Sequence, residues 1–223
     1  MQNISISSVE AINDELFISC FNLSNVIADN IVSIGKNAFS NTSLTSYALP
    51  KTVEELDPTA FANCKKLVDL SVDPENETYF SDINNVHYPA IFKTENGITK
   101  LVCAASTLSS LPEAITSLTD VDVNVLKGLK TFLVSKNLVQ NIELLSSAQN
   151  LETLSVVPEN ARYTDMNGCN VIVEKDTSAL VAGCANSYLC GDIAVLCSYA
   201  FNQRDVLTEL VATDYTLSNL QLI

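Results

Sequence analysis

The one histidine of the chain, His87, stands between Val86 and Tyr88, so any histidine-dependent triad would have to use it and a His-rich metal site cannot be assembled. No GxSxG elbow occurs anywhere, and His87 is expected to be a solvated loop residue. Asp120, Asp122 and Asn124 imitate the opening ligands of a calcium loop. Val125, however, stands where that loop needs glycine, and Thr131 where it needs a bidentate glutamate. Such polarity suits a repeat turn. No GxGxxG or GxxxxGK run offers a phosphate cradle. The chain has 7 cysteines and no CxxC pair, which fits neither a disulfide framework nor a zinc site. Cys20 and Cys64 follow Phe17 and Phe61 at the same spacing and are expected to be small buried core residues. Cys103, Cys169, Cys184, Cys190 and Cys197 are expected as reduced core thiols, with pairing of one of Cys184, Cys190 or Cys197 as the alternative. No acid, base and nucleophile converge, no cofactor or metal is implied, and the chain is not expected to be an enzyme.

The chain is 47% hydrophobic and 17% charged, ample apolar material for a fold. Its net charge of −14 repels phosphate backbones and anionic headgroups, so nucleic acid and membrane surface are poor partners. Calcium or a basic protein surface fits better, and the plainer reading is that the charge keeps an apolar-rich chain soluble. The opening MQNISISSVEAINDELF lacks a basic and an apolar region, so it does not resemble a secretory leader, and no apolar run is long enough to span a bilayer. Sequons at Asn3, Asn22, Asn41 and Asn76 are a weak secretory hint.

Stepping from Ile31, Ile34 and Ala38-Phe39 to Val53, Leu56 and Ala60-Phe61 repeats one phrase after 22 residues. A period of that size marks a solenoid of stacked units. Val53, Leu56, Phe61, Leu67, Leu70 and Val72 serve as a template. Val9, Ile12, Phe17, Leu23, Val26 and Ala28 match it, and so do Ile115, Leu118, Val123, Leu129, Phe132 and Val134. A shortened unit starts at Val139, and a last one starts at Ile193 with Leu196, Ala200-Phe201, Leu207, Leu210 and Ala212. Leu217 and Leu220 look like the start of a further unit, so the chain is expected to end in a partial repeat whose apolar surface packs elsewhere.

Residues 73–114 leave the pattern. There AIFK and ITKLV flank Asn96-Gly97, and Asn-Gly supplies the positive φ angles of a tight hairpin turn. The segment recurs: Pro74-Glu75-Asn76 and Tyr79 return as Pro158-Glu159-Asn160 and Tyr163 after 84 residues. Two inserted hairpins are therefore expected, near 73–114 and 157–192.

LTSYALPKTVEELDPTAFANCKKLVDLSV, residues 44–72, resembles the BspA-like leucine-rich repeats, whose units follow LxxIxLPxxVxxIxxxAFxxCxxL. Leu44, Leu49-Pro50, Val53, Leu56, Ala60-Phe61, Cys64 and Leu67 fall on that pattern, with Tyr47 in its central aliphatic slot. The resemblance implies an α/β solenoid: a leucine-rich repeat horseshoe with a parallel concave sheet, a mostly irregular convex side and the two inserted β-hairpins. Residues 1–223 would form a single domain of about six repeats. It also implies adhesion at a cell surface, or secretion, although the chain itself shows no leader or anchor.

If Leu70 and Val72 point inward, period-two alternation turns Asp69 and Ser71 outward. Corresponding positions give Asn25, Ser46, Thr131, Thr153, Ser155 and Glu209, with Ile27, Ala48, Leu133 and Val211 among them. This ladder of small polar residues is the candidate partner-binding surface, for a protein or a glycan. The alternative is a structural module that self-associates weakly by stacking its open solenoid ends.

Overall fold

The computed structural model describes residues 2–119, 121–189, 193–201 and 221–222. The chain divides into two compact units, Met1–Leu108 with Asp120–Gly128, and Ser109–Thr119 with Leu129–Ile223.

In the first unit, strands β1 (Gln2–Ile6), β3 (Leu23–Ala28), β5 (Ser46–Leu49) and β7 (Asp69–Val72) alternate along the chain with the short strands β2 (Ala11–Ile12), β4 (Ser33–Ile34) and β6 (Glu55–Leu56). β1 pairs with β3 and β5 with β7, all parallel. β2, β4 and β6 form a second parallel sheet in which Ala11, Ser33 and Glu55 stand side by side, each one 22-residue period from the next. The apolar template positions make both walls: Leu70, Leu49, Ile31 and Leu44 are wholly buried, and Ile12, Ile34 and Leu56 face the same core. Between the walls the Ala-Phe segments climb in step. Phe17 N–H donates to Ala38 O at 2.9 Å and Phe39 N–H to Ala60 O at 2.8 Å. Their rings follow the backbone: Phe17, Phe39 and Phe61 stack at centroid spacings of 5.5 and 5.3 Å with planes 10° apart. Tyr47 leans against Phe39 and Phe61 at 5.3 and 5.2 Å.

The first turn departs from the template. Val9 is 43% exposed and Cys20 is exposed, not buried, whereas Cys64 is buried with its thiol donating to Phe39 O at 3.0 Å. Cys64 packs beside Thr42, whose Oγ1 lies 3.3 Å from its Sγ, and the Phe61 ring of its turn meets both Phe39 and Tyr47, whereas Phe17 in the Cys20 turn stacks on Phe39.

β8 (Tyr79–Ile83), β9 (Val86–Glu95) and β10 (Ile98–Ala104) form an antiparallel three-stranded sheet. Its turns are Asn84-Asn85, with φ of 54° and 62°, and Asn96-Gly97, with 53° and 77°. These are the left-handed pairs that a two-residue hairpin requires. The Asn-Gly turn lies where expected, while β8 carries no clear alternation and went unseen in the sequence.

The segment between β7 and β8 closes the edges of the parallel ladders. Asn76 Nδ2 donates to Pro50 O and Val53 O at 2.9 and 3.0 Å, while its Oδ1 accepts from Thr78 N and Tyr79 N. Tyr79 Oη accepts from Leu56 N at 3.0 Å, where a following strand would otherwise supply a carbonyl. Ser81 Oγ likewise accepts from Val72 N at 3.1 Å. A four-residue helix, α1 (Val123–Leu126), completes this unit and is capped by the Asp122 carboxylate, which accepts from Asn124 N and Nδ2, both at 2.8 Å. The carboxylate that resembled a calcium ligand is thus a helix cap. Val123 is half-buried, and Val125 and Leu126 supply the buried surface there.

The second unit repeats the scheme. β11 (Thr131–Val134) pairs in parallel with β12 (Thr153–Val156), with single bridges Ser110–Leu133 and Ser117–Gln140 beside them. β13 (Tyr163–Thr164), β14 (Val171–Glu174) and β15 (Ala179–Gly183) run antiparallel; β16 (Val195–Leu196) then joins β15, and β17 (Gln221–Leu222) joins β16, both in parallel. Asn160 is 1% exposed and makes the same four bonds as Asn76: Nδ2 to Ser135 O and Leu138 O at 2.8 and 3.1 Å, Oδ1 from Arg162 N and Tyr163 N at 3.0 and 2.8 Å. Asp165 Oδ2 takes the place of Ser81, accepting from Val156 N at 3.1 Å. Gly183 has no room for a side chain, because a Cβ there would lie 2.1 Å from the Phe201 ring.

Two further expectations are corrected. Helix among the described residues amounts to α1 and one 3-10 turn, Ile142–Ser147, so the units are parallel-sheet β-solenoids and not α/β structures. The connections are too short and too rich in left-handed asparagines, Asn37, Asn41 and Asn63 among them, for a helix to propagate. Among the cysteines, Cys64, Cys103 and Cys184 are buried free thiols, but Cys169 is disulfide-bonded. Cys190 lies outside the described residues, as do Asp120, Glu209, Val211 and the template positions Leu207, Leu210, Ala212, Leu217 and Leu220. No helix among the described residues is long and apolar enough to cross a membrane.

Two substitutions test this packing. Phe39→Ala is expected to cost about 3–5 kcal/mol in urea unfolding and Phe17→Ala clearly less, since Phe17 is half-buried and stacked on one face. Asn160→Asp sets carboxylate oxygens against two carbonyls and is expected to destabilise by about 2 kcal/mol or more, lowering the melting temperature, with Asn160→Ala also destabilising.

Candidate functional site

Strand alternation decides which side chains the longer parallel strands offer to solvent. In β3 the buried residues are Leu23, Val26 and Ala28, which leaves Asn25 and Ile27 exposed. In β5, Ser46 and Ala48 are exposed around buried Tyr47 and Leu49; in β7, Asp69 and Ser71 are half-buried around buried Leu70 and Val72. Parallel registers align these into columns: Asn3 beside Asn25, Ser5 beside Ile27, Ser46 beside Asp69, Ala48 beside Ser71. In the second unit Thr131 stands beside Thr153 and Leu133 beside Ser155. The structure thus brings the expected residues together within each unit, except Glu209, which lies outside the described residues. Small side chains leave the columns open to a flat ligand, and hydroxyls, amides and a carboxylate give it alternating donors and acceptors.

The column through Ser46 and Asp69 runs on into the antiparallel sheet. His87 on β9 is no free loop histidine: its Nε2 lies 2.8 Å from Asp69 Oδ1, and its Nδ1 lies 2.8 Å from Asp82 Oδ1 on β8. The hydrogen bond to Asp69, with that to Asp82 and the charges of both carboxylates, holds the imidazole above the ordinary histidine range against the opposing effect of partial desolvation. Sequence spacing could not reveal this, because Asp69 is 18 residues away and meets His87 only through tertiary packing.

On the short-strand wall lies a groove of about 740 Å³. Asp14, Ser33, Gly35, Glu55, Asp57 and Lys93 are among the residues that line it. Gly35 is needed there, since a Cβ would come within 2.3 Å of Asp14 Oδ1, which accepts from Lys36 N at 2.7 Å. Among the described residues no group of three His, Cys, Asp or Glu side chains could hold a metal ion. Of the sequons, Asn76 has its amide spent on both ends in the edge bonds, while Asn3 and Asn22 are exposed.

Residues 1–94 match the BspA type leucine rich repeat region, in 6 copies. Among solved structures, the chain is similar to a leucine rich cell surface protein from Faecalibacterium prausnitzii A2-165, with 13% identity and a TM-score of 0.58 over 96% of this chain and 60% of that one. A leucine-rich repeat protein from Eubacterium ventriosum aligns with 18% identity and a TM-score of 0.40 over 99% of this chain and 49% of that one. The chain therefore spans 60% and 49% of the lengths of these two proteins. The first likeness supports the solenoid fold. No curated protein sequence matches the chain.

The assignment of faces is testable without any ligand. Ser46→Arg and Thr153→Arg are expected to leave the thermal unfolding midpoint unchanged, whereas Leu70→Arg, one residue out of phase, is expected to abolish cooperative unfolding.

Proposed function

We propose that this chain, whose first 94 residues carry BspA-type leucine-rich repeats, is a non-enzymatic binding scaffold that engages a protein or a glycan through the outward face of its longer parallel strands. In this reading that face is the concave side of a horseshoe, the two units belong to one repeat domain, and the antiparallel sheets project beside the face. The observation that carries it is the set of exposed or half-buried, small and mostly polar residues in each unit, Asn25, Ser46, Asp69 and Ser71 in the first and Thr131, Thr153 and Ser155 in the second, alternating with a buried core. A surface built for solubility alone would favour long charged side chains at exposed strand positions; this one withholds them. Glu209 belongs to the same proposal by its place in the repeat.

The similar Faecalibacterium protein is described as a cell surface protein. Together with the disulfide at Cys169, which an oxidising compartment favours, this supports display at a cell surface or secretion. The partner would then be a host or matrix component, with nucleic acid disfavoured by the net charge of −14.

A second reading, self-association through a solenoid end, is favoured by the exposed apolar residues of the first turn, Val9, Leu16, Ile18 and Phe21. Sedimentation velocity across concentration separates the two. Weak dimerisation abolished by Phe21→Asp supports stacking, and a monomer at every concentration removes it.

Binding to panels of extracellular-matrix proteins and glycans tests the first reading. Ser46→Arg with Ala48→Arg, and separately Thr153→Arg, are expected to cut any captured affinity at least tenfold while the protein stays folded. Binding that survives all of them sinks the outward-face reading.

A further inference from the structure

His87 is the only histidine in the chain, and it joins two structural elements of the first unit through charge. Across the β8–β9 turn, Asp82 and His87 are register partners, and the Asp82 carboxylate meets Nδ1 at 2.8 Å. On the other side, Asp69 of β7 meets Nε2 at 2.8 Å. Only an imidazolium carries a proton on both nitrogens. A neutral ring must turn one lone pair toward a carboxylate oxygen, so one of the two contacts cannot survive deprotonation.

We infer that His87 is a protonation-controlled latch: as imidazolium it covers the Asp69 carboxylate and ties the antiparallel sheet to the outward column, and as neutral imidazole it releases Asp69 to a hydrogen-bond-donating, cationic group of the bound partner. The inference rests on the outward column being the binding surface. The groups facing His87 define the device. β8 contributes Asp82 and β7 contributes Asp69. β10 contributes none, because its Lys100 stands opposite Lys93 at the far end of β9, where Lys93 and Glu95 pair with each other at 3.0 Å. Lys51 is paired with Glu75 at 2.7 Å, and Lys93 belongs to the Glu95 group.

Asp69 is the partner that leaves. The Asp82 contact bridges adjacent strands closed by a two-residue turn, so its partners stay together whatever the ring does. The Asp69 contact joins separate sheets, and β7 is held to β8 at another point, where Ser81 Oγ accepts from Val72 N at 3.1 Å, so the His87–Asp69 contact opens without parting the strands. The direction with pH follows from the raised imidazole. The latch's contribution is fully present below the unfolded histidine pKa and is lost as pH rises through the folded one. Partner groups such as arginine would therefore find Asp69 screened below the His87 midpoint and open above it.

Nuclear magnetic resonance tests this on the intact chain, since a single histidine gives one set of imidazole signals. Titration without ligand is expected to place the His87 midpoint above that of the same chain unfolded in urea. Asp69→Asn and Asp82→Asn should each lower it, and the neutral ring should carry its proton on Nδ1. A midpoint unmoved by Asp69→Asn, or a neutral ring protonated on Nε2, overturns the latch. Nα-acetyl-arginine methylamide then serves as the probe, read at the Asp69 carboxylate carbon between about pH 5 and 8. Its effect should grow through the His87 midpoint and become independent of pH in His87→Gln. A response equal at both ends in the unmodified chain overturns the release. The ligand-free titration does not depend on the binding reading, so the failure of one is told apart from the failure of the other.

Discussion

A parallel ladder that advances by one short strand per turn always leaves a last strand with unpaired donors and acceptors, and everything distinctive in this chain answers that constraint. The answer is a side-chain substitute for the missing strand. Asn76 and Asn160 each bond two carbonyls of the turn before them and receive two amides of their own loop. Tyr79 accepts the Leu56 amide, and Ser81 and Asp165 accept those of Val72 and Val156. A strand edge that would invite a foreign strand is closed by groups that cannot propagate a sheet.

Closing the edge also decides what the outward face looks like. The antiparallel sheet that follows Asn76 sets β9 against β7, and His87 thereby reaches Asp69. A polar column that would otherwise be a plain row of small residues acquires a titrating group at one side. The same event builds a wall of the short-strand groove, where Lys93 comes over the Tyr79 ring at 5.5 Å from its centroid. In the second unit the corresponding tyrosine, Tyr163, meets Arg162 at 5.3 Å, and Glu174 pairs with that arginine at 2.8 Å. Edge capping and surface character thus share their residues.

Within the core, stacking sets the gradient of stability. Phe39, held between Phe17 and Phe61 and touched by Tyr47, is wholly buried, while the first turn exposes Val9, Leu16, Ile18 and Phe21. In a solenoid each turn draws its stability from the turns packed against it.

Spacing alone determined the period, most of the inward set from Ile12 to Val156, with Phe17, Val123 and Val139 only half-buried, and the recurrence of the Pro-Glu-Asn…Tyr segment, because burial on a repeating scaffold imprints a repeating apolar pattern. It also determined which strand residues face out, since alternation needs no tertiary information. It misjudged helix content, because the connecting segments carry no periodicity of their own and their left-handed asparagines act one residue at a time. Tertiary structure alone decided what Asn76, Tyr79 and His87 do. Their long-range partners lie 18 to 26 residues away on other elements, and a hydrogen bond across that distance leaves no mark in local pattern.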